Sequence, residues 1–323
     1  MTTLDGRNLF AGTTLAALLA VYLIWGSTYL AIRIAIETLP TFSMAGLRYL
    51  VAGAALYAWG RSRGARGPER RHLLPALAIG GLLLLGGNGL VVWAEHRVPS
   101  GIAALLVAVE PLWIALLMPL FGAGKRPSAR TFVGIAVGLL GVFVLVGGRE
   151  LGASAVDLTG ALAVVVAAAS WASGSLYSVR AATPESPWIS SGLQMLFGGL
   201  LLGVTGLGAG EWSRFDPSAV SLRSLLALGY LVVFGSIVAF TAYSYLLRNA
   251  RPTVVSTYAF VNPVVAVLLG WFFVAEPLTW RVGVAALFIL GALVAIMHEE
   301  PEVEQQVVNP DPETIEAPRS CVG

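Results

Sequence analysis

The sequence predicts an all-α polytopic membrane protein: ten transmembrane helices arranged as two inverted five-helix repeats. Three observations predict this class. The chain is 57% hydrophobic and only 12% charged, with a mean hydropathy of +0.79, whereas soluble domains carry about 25% charged residues. Apolar stretches recur at a length suited to a hydrocarbon core of about 30 Å, which takes roughly 20 helical residues. The chain also repeats itself. Gly46-Leu47-Arg48-Tyr49-Leu50-Val51-Ala52-Gly53 is echoed by Gly192-Leu193-Gln194-Met195-Leu196-Phe197-Gly198-Gly199 at an offset of 146, and Trp25-Gly26-Ser27 and Trp171-Ala172-Ser173 keep that offset. Val107-Ala108-Val109-Glu110-Pro111 is answered by Ala259-Phe260-Val261-Asn262-Pro263 at an offset of 152. Five spans per copy is an odd number, so the second copy enters the membrane upside down, the arrangement of many secondary transporters.

The spans are expected at 13-36, 41-60, 72-96, 99-122, 131-148, 156-180, 187-208, 222-247, 252-274 and 280-298. Pro40, Pro99, Pro127, Pro187, Pro252 and Pro277 fall in or beside the connections, as expected where helices end and restart. Residues 1-150 then form the first repeat, 151-298 the second, and 299-323 a disordered acidic tail, Glu- and Pro-rich, with too little apolar surface to fold. With the N-terminus inside, 13 Lys and Arg residues lie on the cytoplasmic side against six opposite, and Arg48 remains within a span. By the positive-inside rule both termini are cytoplasmic.

Composition also excludes classes. The sole cysteine, Cys321, sits in the tail, so no intramolecular disulfide is expected. His72, His96 and His298 stand at span ends without ligand spacing, so neither a metal site nor any other cofactor is expected, nor an intramembrane enzyme. No phosphate-cradling Gly-x-x-x-x-Gly-Lys-Ser/Thr loop occurs, which removes ATP hydrolysis as the drive. A net charge of +2 explained by loop arginines gives no reason to expect nucleic acid as a partner. The partners expected are a small-molecule solute and the lipid bilayer.

Polar groups inside the membrane are costly, and function is sought there. Arg48 lies near the middle of span 2, where a charge costs roughly 2.5 to 3.5 kcal/mol on insertion scales and must face protein, water or a counter-ion. Glu110, just before Pro111 in span 4, is the acidic residue placed deepest, and pairing with Arg48 is one expectation. Their equivalents in the second copy are the neutral Gln194 and Asn262. The sharper expectation is that Arg48 and Glu110 face the carboxylate and the amino group of a zwitterionic metabolite; the plainer one is a structural ion pair. Pro111 and Pro263 are expected hinges, because an internal proline frees a carbonyl and kinks a helix. Trp25, Thr28 and Tyr29 share one helical face, Trp171, Ser175 and Ser178 repeat the idea in span 6, and Asn88, Tyr243 and Tyr258 complete the expected lining. Glu95 and His96 close span 3 and read as solvated, with a gate or proton port as the other reading. Trp212 and Trp280 read as interfacial tryptophans. Gly134 and Gly138 make span 5, like span 10, a packing or dimer-contact helix, so a homodimer is a possible assembly.

Four features beyond the repeat carry a resemblance: Trp25-Gly26-Ser27-Thr28-Tyr29, the Gly46 to Gly53 segment, Pro99-Ser100-Gly101-Ile102-Ala103-Ala104-Leu105, and Glu276-Pro277-Leu278. With them the chain resembles the drug/metabolite transporter superfamily, and more narrowly bacterial ten-helix exporters built of two EamA-type repeats, over residues 13 to 298. The resemblance implies a cavity between the repeats and alternating-access export of small metabolites across a bacterial inner (plasma) membrane. Some members of this architecture export amino acids, which makes amino acids the first expectation and multidrug efflux the alternative. A channel is the remaining class.

Overall fold

The computed structural model describes residues 12–121, 129–146, 156–249 and 258–297. The expected acidic tail, the ends of several spans and the loop cations Lys125, Arg126, Arg149 and Arg251 lie outside the described residues. Among the described residues ten long helical segments are present: α1 Gly12–Ala35, α2 Thr41–Ser62, α3 Arg70–Ala94, α4 Ser100–Leu120, α5 Ala129–Val146, α6 Leu158–Ser178, α7 Pro187–Gly208, α8 from Leu222 to Asn249, α9 Tyr258–Val274 and α10 Trp280–Met297. Six (α1, α3, α4, α6, α7 and α8) carry windows long and apolar enough to cross a membrane, and α5, α9 and α10 hold shorter apolar stretches. Helix α2 owes its lower apolarity to Arg48, buried at mid-helix, and Arg61 near its end.

Local chemistry sets the starts. Pro40 precedes α2 in extended backbone, the geometry that keeps a residue outside the helix it introduces. The Asp157 side chain accepts from Gly160 N–H at 2.6 Å, and the Ser221 hydroxyl accepts from Ser224 N–H at 3.1 Å. Each satisfies an amide that its own helix leaves unbonded. Leu200, Val204 and Leu207 of α7, Phe143 of α5 and Leu287 of α10 point outward, exposed, as side chains facing lipid do.

The repeat is visible in the packing. Helices α2 and α7 pack on each other most extensively, and they run antiparallel. A Cβ on Gly46 would lie 2.9 Å from the Gly199 carbonyl, and one on Gly53 would lie 2.8 Å from that of Gly192. Gly192 is the equivalent of Gly46, and Gly199 that of Gly53. A pair and its equivalent therefore meet reciprocally, the rule for a twofold contact, and this is the inversion read from atoms. Helices α5 and α10 form a second packed pair, with Gly141 against Ala285, Phe288 and Ile289. Helix α1 packs on α8 and α9, as α6 packs on α3 and α4. The expected packing role of spans 5 and 10 is thus met within the chain.

Three elements depart from simple spans. Helices α3 and α8 widen into π-helix over Gly81–Gly89 and Leu231–Val238, equivalent places in the two repeats. Helix α4 breaks between Val107 and Glu110. Pro111 offers no N–H to the carbonyl four residues back, that of Val107, and the helix restarts with Pro111 in its first turn. Pro263, its equivalent, sits inside an unbroken α9. The expected matching kinks are therefore unequal.

At the end of the bundle where α1 finishes and α2 begins, carboxylates of the second repeat cap helices of the first. Glu211 accepts from Phe42 N–H and Ser43 N–H, both at 2.8 Å, and from the Ser43 hydroxyl at 2.7 Å. Glu276 accepts from Ser100 N–H at 2.7 Å and Gly101 N–H at 3.0 Å. Anionic groups at helix N-termini satisfy orphan amides and meet the positive end of the dipole. Glu211→Ala is expected to destabilise the protein by about 1 to 2 kcal/mol, read as a lowered unfolding temperature in detergent. Ser213→Ala, an exposed neighbour whose hydroxyl bonds the Gly210 carbonyl of its own turn, serves as the unshifted control.

Candidate functional site

A cavity of about 130 Å³ lies between the repeats, lined by α1, α2, α3, α4, α6, α7, α8 and α9. At the 10–15 Å³ a water needs by this kind of measure, it holds roughly ten waters or a small solute. Nine of the twelve lining residues expected from the sequence meet there: Trp25, Thr28, Tyr29, Arg48, Asn88, Glu110, Trp171, Tyr258 and Asn262.

Each is placed by its helix. Gly26 lets α1 close on α9, since a Cβ there would lie 3.2 Å from the Asn262 carbonyl, and so brings Trp25 to the wall. The indole N–H of Trp25 donates to the Gly235 carbonyl at 3.3 Å, and its ring meets Tyr243 at 5.0 Å and Tyr258 at 5.3 Å. Arg48 is 5% exposed. Its Nε donates to the Ser236 hydroxyl at 2.8 Å, while its guanidinium lies against Gly235 and 4.8 Å from the centre of the Tyr49 ring. Gly87 carries the Trp171 ring directly against the α3 backbone.

Arg48 and Glu110 share the cavity, yet no ion pair or hydrogen bond joins them among the described residues. The expected pairing is not formed; the arginine is held by Ser236 instead. Glu110, 7% exposed, begins the second half of the broken α4, and its carboxylate takes no hydrogen bond from the described residues. The side-chain carbonyls of Asn88 and Asn262 are also buried without a partner among the described residues. A buried polar group left unbonded costs roughly 1 to 3 kcal/mol. The wall thus offers one cation and three unsatisfied acceptor groups to whatever enters.

Three expected residues fall outside the lining. Gln194 turns its amide onto Ser190 of its own helix at 3.1 Å, and Met195 faces the cavity in its place. The repeat equivalence fixes depth, but one residue turns a helix face by about 100°. Ser175 lies a turn beyond Trp171, where its backbone carbonyl accepts from Ser178, and α6 lines the cavity through Ala167, Ala168 and Trp171. Tyr243 stands behind the wall, against Trp25 and Tyr258. Sequence reasoning missed Gly235 and Ser236. A signal existed: they stand 148 residues after Gly87 and Asn88, between the two offsets already found. Both pairs occupy the π segments, which often mark functional sites in helices.

Two inverted repeats enclose a cavity that sets a few charged and amide groups in a largely apolar wall, and the family comparison gives the class: the EamA-like transporter family profile matches residues 12–147 and again 158–298, so the chain belongs to that family, whose members are transporters and not enzymes. Among its relatives, the "Uncharacterized inner membrane transporter YedA" of Escherichia coli (strain K12) is 44% identical over 281 residues, covering 87% of this chain and 89% of that protein. "Protein PecM" of Dickeya dadantii (strain 3937) is 26% identical over 275 residues, covering 84% and 88%. A solved structure titled "Crystal structure of protein" superposes with a TM-score of 0.58 at 23% identity, covering 88% of this chain and 97% of that one, and so shares the fold.

Proposed function

We propose that this chain is an inner-membrane exporter of small metabolites, with zwitterionic amino acids as the first substrate class, working by alternating access with both termini cytoplasmic. The observation that carries the reading is that Arg48 and Glu110 line one buried cavity unpaired. A zwitterion offers each its complement: a carboxylate to the guanidinium nitrogens not bonded to Ser236, and an ammonium to Glu110. The Asn88 and Asn262 carbonyls supply the further acceptors that an ammonium's three N–H donors need. Trp25 and Tyr258 provide an apolar wall, and Pro111 and Pro263 serve as the flexing points. The two family matches, one within residues 1-150 and one within 151-298, support dividing the repeats there. The name of the Escherichia coli relative supports the inner-membrane location.

A second reading, efflux of lipophilic cations, draws on the Trp25–Tyr243–Tyr258 ring cluster beside a carboxylate, a combination that suits cation–π contact. Uptake of a labelled amino-acid panel into proteoliposomes, with and without a pH gradient, decides between them. Uptake of zwitterions is the expected result. Failure of every zwitterion alongside uptake of a lipophilic cation overturns it.

A further inference from the structure

Glu95 is not solvated. It is fully buried at the end of α3, one residue past the apolar span, and neither carboxylate oxygen has a hydrogen-bond partner. Arg33, the cation at hand on α1, donates to the backbone carbonyl of Glu95 and not to its carboxylate. Tyr29 of α1 and Glu276 of the α9–α10 connection are the other titratable groups that act on it, and His96 and Arg97 follow it in the chain. Glu276 is already engaged by the α4 N-terminus. It is brought there by Ala275, whose φ of 52° is a left-handed conformation that costs a non-glycine residue about 1 to 2 kcal/mol. The hydroxyl of Ser100 is likewise fully buried and unpartnered.

An ionised carboxylate sealed in this way, beside a second carboxylate, has nothing to offset its lost hydration; such a group neutralises by taking a proton. Burial, with Glu276 adding to it and Arg33 opposing, raises the Glu95 carboxyl well above the usual carboxylate range. We propose that Glu95 is a proton-binding site, separate from the central cavity, occupied when this end of the bundle is closed and emptied when it opens to water. The end is closed by contacts between repeats: Glu276 on α4, Glu211 on α2, the Ser224 hydroxyl on the Ile34 carbonyl, and Ser221 N–H on Thr38. Parting them would hydrate Glu95 and favour loss of its proton. Because a ligand shifts an equilibrium only through its differential affinity for the two states, the proton bound in one and released in the other biases the gate.

The test uses full-length protein purified in detergent. Infrared difference spectra between neutral and alkaline pH, recorded on Glu110→Gln protein so that the cavity carboxyl does not contribute, are expected to show the carbonyl stretch of a protonated carboxyl, absent when Glu95→Gln is added and shifted with Glu95→Asp. No such band in Glu110→Gln protein, or one that survives the further change Glu95→Gln, overturns the site. Exchanging sodium for choline should leave the band in place; a change assigns the pocket to a metal cation instead and overturns the proton. Gating is read with Ile102→Cys in a Cys321→Ser background, labelled by a water-soluble maleimide at alkaline pH. Glu95→Gln, fixed in the neutral form, should label about tenfold more slowly than the Glu95 protein, the change in population that one unit of pKa difference supplies. Equal rates overturn the link to closure.

Discussion

Arg48→Gln lowers transport efficiency for the zwitterion that gives the strongest uptake by roughly a hundredfold, equivalent to about 3 kcal/mol, while the protein remains folded and monodisperse. The size follows from leaving a buried carboxylate of the solute without its charge partner, which costs 2 to 5 kcal/mol or more. Folding survives because Arg48 anchors through one bond to Ser236 and has no ion-pair partner to orphan among the described residues. Counterflow in proteoliposomes measures the loss. Ser236→Ala, which removes the anchor but keeps the charge, should cost less than Arg48→Gln: the charge-assisted bond it removes nets about 1.5 to 3 kcal/mol, but the guanidinium still meets the solute and can turn to a new partner. Unchanged counterflow in well-folded Arg48→Gln protein would remove the arginine from solute recognition.

Gly53→Val has the largest structural effect, abolishing recovery of monodisperse protein. A Cβ at Gly53 would stand 2.8 Å from the Gly192 carbonyl and 2.9 Å from the Leu196 nitrogen. Both obstacles are backbone and cannot swing aside, so the two helices must separate along the contact that joins the repeats. Overpacking by a single methylene costs about 1 to 3 kcal/mol, and a β-branched side chain adds more at the reciprocal seam. Gly229 is the opposite case: nothing lies within 4 Å of a Cβ there, and Gly229→Ala should be neutral or stabilising by up to about 1 kcal/mol through helix propensity. Size-exclusion profiles and unfolding temperatures of the two variants make the comparison, and normal folding of Gly53→Val would contradict the close crossing.

Residue by residue, the repeat was legible because it is written in small residues. Gly46 and Gly53 recur as Gly192 and Gly199, and small residues let antiparallel backbones touch. Arg48, Glu110 and Asn262 were legible because polar groups inside a membrane are costly and must face something. Gln194 was misjudged for a related reason: an amide at the right depth can satisfy itself on Ser190 of its own helix, and helix rotation is not written in the repeat offset. Glu95 read as solvated because it closes an apolar span together with His96, just ahead of Arg97, the pattern of a helix end reaching water. Its burial comes from α1 and the α9–α10 connection, whose arrival no local pattern announces.

By itself the sequence determined the membrane class, the doubled unit, its inversion and the depth of each polar group, because hydropathy, helical rise and the odd number of spans per repeat are properties of the chain alone. Only the tertiary structure decided that Arg48 bonds Ser236 and not Glu110, that π-helical turns put Gly87–Asn88 and Gly235–Ser236 in the wall, and that Glu95 is sealed without a partner among the described residues. These outcomes depend on helix rotation and on which backbones come close enough to bond, and packing between distant segments sets both.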